Sequence, residues 1–164
     1  MHFAIGGDEF DVPSSVIISG DVFFLPASQQ DALRFSLKPG DGRGELMVSA
    51  QAASGVCKAA AADSRNGACT EANTPVWSVD RLERRNLDRQ GTQWEYVNLA
   101  PPHQSVASCY DPGTGEGRCL SFGRFRELVY SVRFPEHDID HLDKIHVEIQ
   151  DLLEAWRTKA KDEA

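Results

Sequence analysis

Sulfur gives this chain its clearest chemical option. Its four cysteines stand at 57, 69, 109 and 119. Zinc sites gather cysteines in pairs only a few residues apart. Here Cys57 and Cys69 lie 12 positions apart, and Cys109 and Cys119 lie 10 apart. Such gaps suit disulfides that close loops. Four cysteines allow three pairings, and locality favours Cys57–Cys69 with Cys109–Cys119. Each closure would remove roughly 3 kcal/mol of unfolded-state entropy. Disulfides belong to oxidising compartments, so this reading takes the chain out of the cytosol. Four buried free thiols in a cytosolic protein form the competing reading.

Other constellations offer less. His137 and His141 bracket Asp138 and Asp140, a spacing that can turn two imidazoles toward one metal. No third ligand is fixed by spacing, and a solvated helix turn accounts for the same residues. Gly113, Gly115 and Gly117 lack the spacing of a dinucleotide loop and the lysine of a phosphate loop; they read as a hairpin tip. No Gly-x-Ser-x-Gly elbow occurs, and a set such as His103, Ser105 and Asp111 is one that any chain of this size supplies. Arg81, Arg84, Arg85 and Arg89 read as a solvated basic turn or helix face. Oxidised cysteines are poor nucleophiles. The residues point to no enzyme, no metal and no cofactor.

The segment best suited to binding is the tip from Tyr110 to Arg118, held by the expected Cys109–Cys119 staple. A loop restrained before association loses less entropy when it binds. Its expected contact residues are Tyr110, Asp111, Thr114, Glu116 and Arg118. The loop between Cys57 and Cys69 is a second candidate of the same kind.

The elements that must hold this tip can be read from periodicity. Phe3–Ile5 and Phe10–Val12 form a hairpin around Gly6-Gly7. Val16–Ile18 and Val22–Leu25 are short apolar runs. Leu33–Leu37 alternates strictly, as a half-buried strand does, and Leu46–Ala50 follows after a Gly-rich turn. Residues 51–74 read as a long stapled loop with room for one helical turn, Val76–Val79 as a short strand, and 80–92 as a charged connector. A strand through Trp94 and Tyr96 toward Leu99 comes next. Val106–Tyr110 and Arg118–Phe122 flank the tip. Leu128, Tyr130, Val132 and Phe134 share one face of the strongest strand. In 138–157, Ile139, Leu142, Ile145, Ile149, Leu152, Leu153 and Trp156 recur at helical spacing. Asp138 is the expected N-cap. Many short strands followed by one helix make an α+β fold: antiparallel twisted sheet or sheets, with the C-terminal amphipathic helix packed on one face. Residues 1–164 read as a single domain whose tail frays from about 158.

Composition narrows the partners. The net charge is −8. Residues 1–31 hold five acids and no Lys or Arg, while residues 136–164 hold nine acids against four bases. Acidity at both ends, with no basic stripe, argues against nucleic acid. It favours a protein partner with a basic surface. No apolar stretch is long enough to span a membrane as a helix. Met1-His2 leads straight into a strand-like pattern, so an exported protein would already have shed its signal peptide.

Two patterns carry a resemblance. One is Phe3-x-Ile5-Gly-Gly-x-x-Phe10-x-Val12-Pro13 with Leu25-Pro26 and Leu33-x-Phe-x-Leu37-x-Pro39. The other is Cys119-x-x-Phe122 with Leu128-x-Tyr130-x-Val132-x-Phe134 and a Trp-ended helix. Together they resemble small periplasmic immunity proteins of Gram-negative bacteria, encoded beside toxins of contact-dependent (type VI or type IV) secretion systems. The resemblance spans about half the chain and carries no catalytic residue. It implies a periplasmic inhibitor that binds and occludes a cognate toxin. The alternative is a non-catalytic envelope binding or structural accessory protein. The disulfide reading has a direct check: thiol titration of the denatured protein should find no free thiol before reduction and four afterwards. Four titratable thiols without reductant would refute it.

Overall fold

Strand β9 (Leu128–Pro135) is the axis of the molecule. Among residues 128–134 it alternates as a strand with one buried face must, burying Leu128, Tyr130, Val132 and Phe134 on that face. In the computed structural model of the chain, residues 1–18, 32–40, 44–57, 68–69, 81–100 and 103–158 are described. Around β9 lie β3 (Ala32–Leu37), β4 (Leu46–Ala52), β5 (Leu82–Asn86), β6 (Gln93–Asn98), β7 (Ser105–Tyr110) and β8 (Arg118–Phe125). They form one seven-stranded sheet in the order β3-β4-β9-β8-β7-β6-β5. Every neighbouring pair is antiparallel. Strands β1 (His2–Ile5) and β2 (Asp8–Asp11) make the expected hairpin, with Gly6 and Gly7 at φ +64° and +85°. With β10 (Arg157–Thr158) they form a three-stranded sheet.

Register sorts the large sheet into two faces. Val48 stands opposite both Phe35 and Val132, and Val132 stands opposite Ser121. These positions belong to the covered face, together with Leu33, Ala50, Tyr130, Phe134 and Phe125. That face is closed by helix α2 (Leu142–Trp156), which buries Leu142, Ile145, His146, Ile149 and Leu153. The small sheet closes its end, where Phe10 meets Phe125 at 6.4 Å between rings. The fold is therefore α+β, antiparallel sheets with a C-terminal helix against one face. Fully burying each Leu or Ile of α2 contributes roughly 1.5–3 kcal/mol.

Three local readings change. Residues 82–86 are strand β5 rather than part of a connector. Pairing with β6 overrides the charged composition, and charge on an edge strand discourages further pairing. Asp138 does not cap the helix. It is buried within a 3-10 turn, Glu136–His141, and His141 occupies the cap position without a side-chain cap bond. Val16 ends a 3-10 turn, Ser14–Val16, and Ile17 makes an isolated bridge to Phe35. The turn expected after residue 51 is α1 (Ala53–Val56). Arg157 and Thr158 continue from α2 into β10, and the expected fray beyond them falls outside the described residues. So do the runs at Val22–Leu25 and Val76–Val79.

One polar chain crosses the core and fixes the helix on the sheet. Gln150 Nε2 donates to the Tyr130 hydroxyl at 3.2 Å. That hydroxyl lies 2.8 Å from His146 Nδ1, and His146 Nε2 lies 2.8 Å from Ser121 Oγ. Ser121 Oγ in turn donates to the Val106 carbonyl at 2.7 Å. Because the serine proton is committed to Val106, Nε2–H must donate and Nδ1 must accept, which is the neutral imidazole. Burial holds the His146 pKa down to about 3. Gly123 makes room for the chain, since a Cβ there would strike the Tyr130 ring and hydroxyl.

Two outcomes follow from this chain. Below the ordinary histidine pKa of 6.5 the unfolded state takes up a proton that folded His146 refuses. Its contribution is thus complete above about pH 6.5 and lost as pH falls, by up to about 1.4 kcal/mol per pH unit. Urea unfolding should show wild type more stable than His146→Gln at neutral pH, with the gap narrowing toward pH 4. A gap that does not change with pH would contradict the assignment. Gly123→Ala should cost about 1–3 kcal/mol by overpacking, read from the same unfolding curves.

Candidate functional site

The other face of the large sheet is where the expected binding tip points. Among the described residues it is covered at one end, where Ala53 and Ala68 pack on Val129 beside the Cys57–Cys69 bridge. The remainder carries a groove of about 880 Å³. Register builds its floor. Met47, Arg133, Leu120 and Ser108 stand opposite one another in one row. Gln93, Tyr110 and Arg118 form the next. Leu87 continues that second row, its backbone N–H donating to the Gln93 carbonyl at 2.8 Å. Pro112 and Thr114 of the tip complete one wall, and Glu45 stands on the other side.

The groove is unusual in what it leaves in solvent. Met47 is 45% exposed, Leu87 55% and Tyr110 53%. Met47 and Tyr110 stand on different strands along the groove and Leu87 just beyond β5, with Leu120 lying between Met47 and Tyr110, and apolar surface collected in a groove fits an interaction site. Met, Tyr and Arg are also residue types enriched at protein interfaces.

The tip itself is ordered from several directions. Cys109 and Cys119 are direct cross-strand partners, joined by a disulfide on the covered face beneath the groove. Asp111 Oδ1 accepts the backbone N–H of Gly113 at 2.8 Å and of Gly115 at 3.3 Å. Gly113 and Gly115 adopt φ of +95° and +79°, the region glycine enters without strain. Gly117 sits against the structure below, since a Cβ there would strike Trp94 and Glu136. The Glu136 N–H donates to the Gly117 carbonyl at 2.9 Å. Glu136 is itself clamped: Tyr96 donates its hydroxyl to Oε1 at 2.5 Å, and Arg84 reaches the same oxygen at 3.4 Å while lying 4.2 Å from the Trp94 ring centre. Burial first, then the Glu136 carboxylate, push the Tyr96 phenol up to about 12.

The five residues expected to make contact divide. Tyr110, Thr114 and Arg118 line the groove. Asp111 is occupied in folding the tip, and Glu116 lies 2.9 Å from His137 Nδ1, outside the groove lining. Met47, Leu87, Leu120 and Arg133 are groove residues that the sequence reading passes over. The alternation of β4 and β9 was their signal, since it turns Met47 and Arg133 outward. His103, Ser105 and Asp111 are not brought together: Ser105 starts β7 and Asp111 follows its end, about 20 Å away along an extended strand. His141 sits at the N-terminal boundary of α2 while His137 faces Glu116, and no cluster of three His, Cys, Asp or Glu able to hold a metal ion occurs among the described residues. Arg84 and Arg85 lie on strand β5, not on a turn or helix.

The staple predicts a measurable effect. Cys109→Ala with Cys119→Ala should lower stability by about 2–4 kcal/mol and speed amide exchange across residues 111–117. Cys57→Ala with Cys69→Ala should leave exchange in the tip unchanged. Unaltered tip exchange in the first variant would show that the glycine turns and Asp111 suffice.

No protein-family model matches the chain, and no curated protein matches it in sequence. Among solved structures it matches Smlt3025, an immunity protein of the Stenotrophomonas maltophilia type IV secretion system. The TM-score is 0.57 over 97% of this chain and 93% of that one, at 9% sequence identity. At that identity the likeness is one of fold, and the chain shares the fold of an immunity protein over almost its whole length.

Proposed function

We propose that this chain is a periplasmic immunity protein that binds a secreted antibacterial toxin and blocks it by occlusion, without turnover. The observation that carries the reading is the groove on the face opposite α2, with a covalently stapled tip along one wall. A surface ordered before contact loses little entropy on association, which suits an inhibitor that must hold its target tightly. Two disulfides fit an oxidising compartment outside the cytosol. The fold shared with a type IV secretion-system immunity protein supports the same reading. No helix among the described residues is long and apolar enough to cross a membrane, in keeping with a partner met in the aqueous envelope.

Tyr110, Thr114 and Arg118 are the proposed contacts from the tip, joined by Met47, Leu87, Leu120 and Arg133 from the sheet. Mixed with the toxin encoded in the neighbouring reading frame, the protein should form a one-to-one complex that survives size exclusion at low micromolar concentration and abolishes toxin activity. Separate elution with the toxin still active would overturn the proposal.

A further inference from the structure

Total charge suggests a basic partner, but charge is not evenly placed about the sheet. The acids of α2, among them Asp143, Glu148, Asp151 and Glu154, belong to the layer on the covered face. The groove on the opposite face holds two arginines and one glutamate, Arg118, Arg133 and Glu45. Four arginines elsewhere are neutralised locally, Arg84 by Glu136, Arg85 by Glu83, Arg124 by Glu127 and Arg126 by Asp8, whereas Arg81 and Arg89 stand alone among the described residues, exposed and away from the groove. Neither Arg118 nor Arg133 has a side-chain hydrogen bond or ion pair among the described residues. They flank Leu120: Arg133 stands directly opposite it, and Arg118 precedes it by two residues on the same face. Tyr110 stands opposite Arg118, and Met47 opposite Arg133. Each guanidinium is thus set beside apolar surface, where contact with a partner would exclude water and strengthen a charge-assisted hydrogen bond.

We infer that the groove receives a segment of the toxin in which carboxylates alternate with apolar side chains, the carboxylates reaching Arg118 and Arg133 and the apolar groups covering Met47, Leu120 and Tyr110. Guanidinium groups present paired donors that match a carboxylate, and two of them side by side would repel a basic segment. This inference rests on the immunity reading but can fail without it.

The test uses two short synthetic peptides, one alternating aspartate with leucine and tyrosine, the other identical with lysine for aspartate. Amide shifts of the isotope-labelled full chain should respond saturably to the acidic peptide at Met47, Tyr110, Leu120 and Arg133, and not to the lysine peptide. R118E combined with R133E should weaken that binding by about 100-fold. R81E combined with R89E changes net charge equally at exposed positions outside the groove, and should leave the affinity within a few fold. Thermal melting of both variants checks that the fold is retained. Equal or tighter binding of the lysine peptide, shifts centred elsewhere, or no saturable shift with either peptide would overturn the inference. A toxin complex that forms equally well with R118E/R133E would do the same while leaving the immunity reading intact. Loss of the complex for wild type itself would instead remove the immunity reading.

Discussion

One helix can cover one face of a broad antiparallel sheet, and this limit organises the molecule. Helix α2 and the small β1–β2–β10 sheet close one side of the large sheet. The alternation in β4, β8 and β9 follows from it, because a strand with one wet face must place apolar groups at every second position. The other side is then available for recognition. Its covering, among the described residues, is limited to the patch where α1 and the Cys57–Cys69 bridge lie over Val129.

The join between helix and sheet is specific as well as apolar. Leu142, Ile145, Ile149 and Leu153 supply burial that many registers could satisfy. The Gln150–Tyr130–His146–Ser121 chain favours one, since its buried donors and acceptors meet in that register. A shift of one residue along α2 would leave buried polar atoms unpaired, at about 1–3 kcal/mol each. The sheet beneath the groove is thereby held in one geometry. The Glu136 clamp does for the tip what His146 does for the helix, joining Gly117 to Tyr96 of β6 and Arg84 of β5.

Much of this was legible in the residues, for identifiable reasons. β9, the β7–β8 hairpin and the apolar stripe of α2 carry strong periodicity, and the local cysteine spacing matches the bridges present. Strand β5 was hidden because its charged residues, Glu83, Arg84 and Arg85, mask the period of two, and only pairing with β6 makes it a strand. His146 was hidden by its position in a helix rich in polar residues; its partners come from β8 and β9, a proximity no spacing rule encodes. Asp138 has the right residue type for a cap, yet Pro135 and the 3-10 turn move the helix start beyond it. The hairpin that carries the tip was legible, but not the division of labour within it: Asp111 folds it, Glu116 turns toward His137, and Tyr110 with Arg118 faces the groove. Arg133 was legible only as an outward position on β9.

The functional account depends on the grooved face being the surface that a protein partner occupies. Hydroxyl-radical footprinting of the chain, free and bound to its toxin, addresses that claim directly. Met47, Leu87 and Tyr110 should be readily oxidised in the free protein and protected in the complex, while Val147 on the solvent side of α2 reacts equally in both. Protection of Val147 with Met47, Leu87 and Tyr110 unchanged would place the partner on the opposite side and contradict the account.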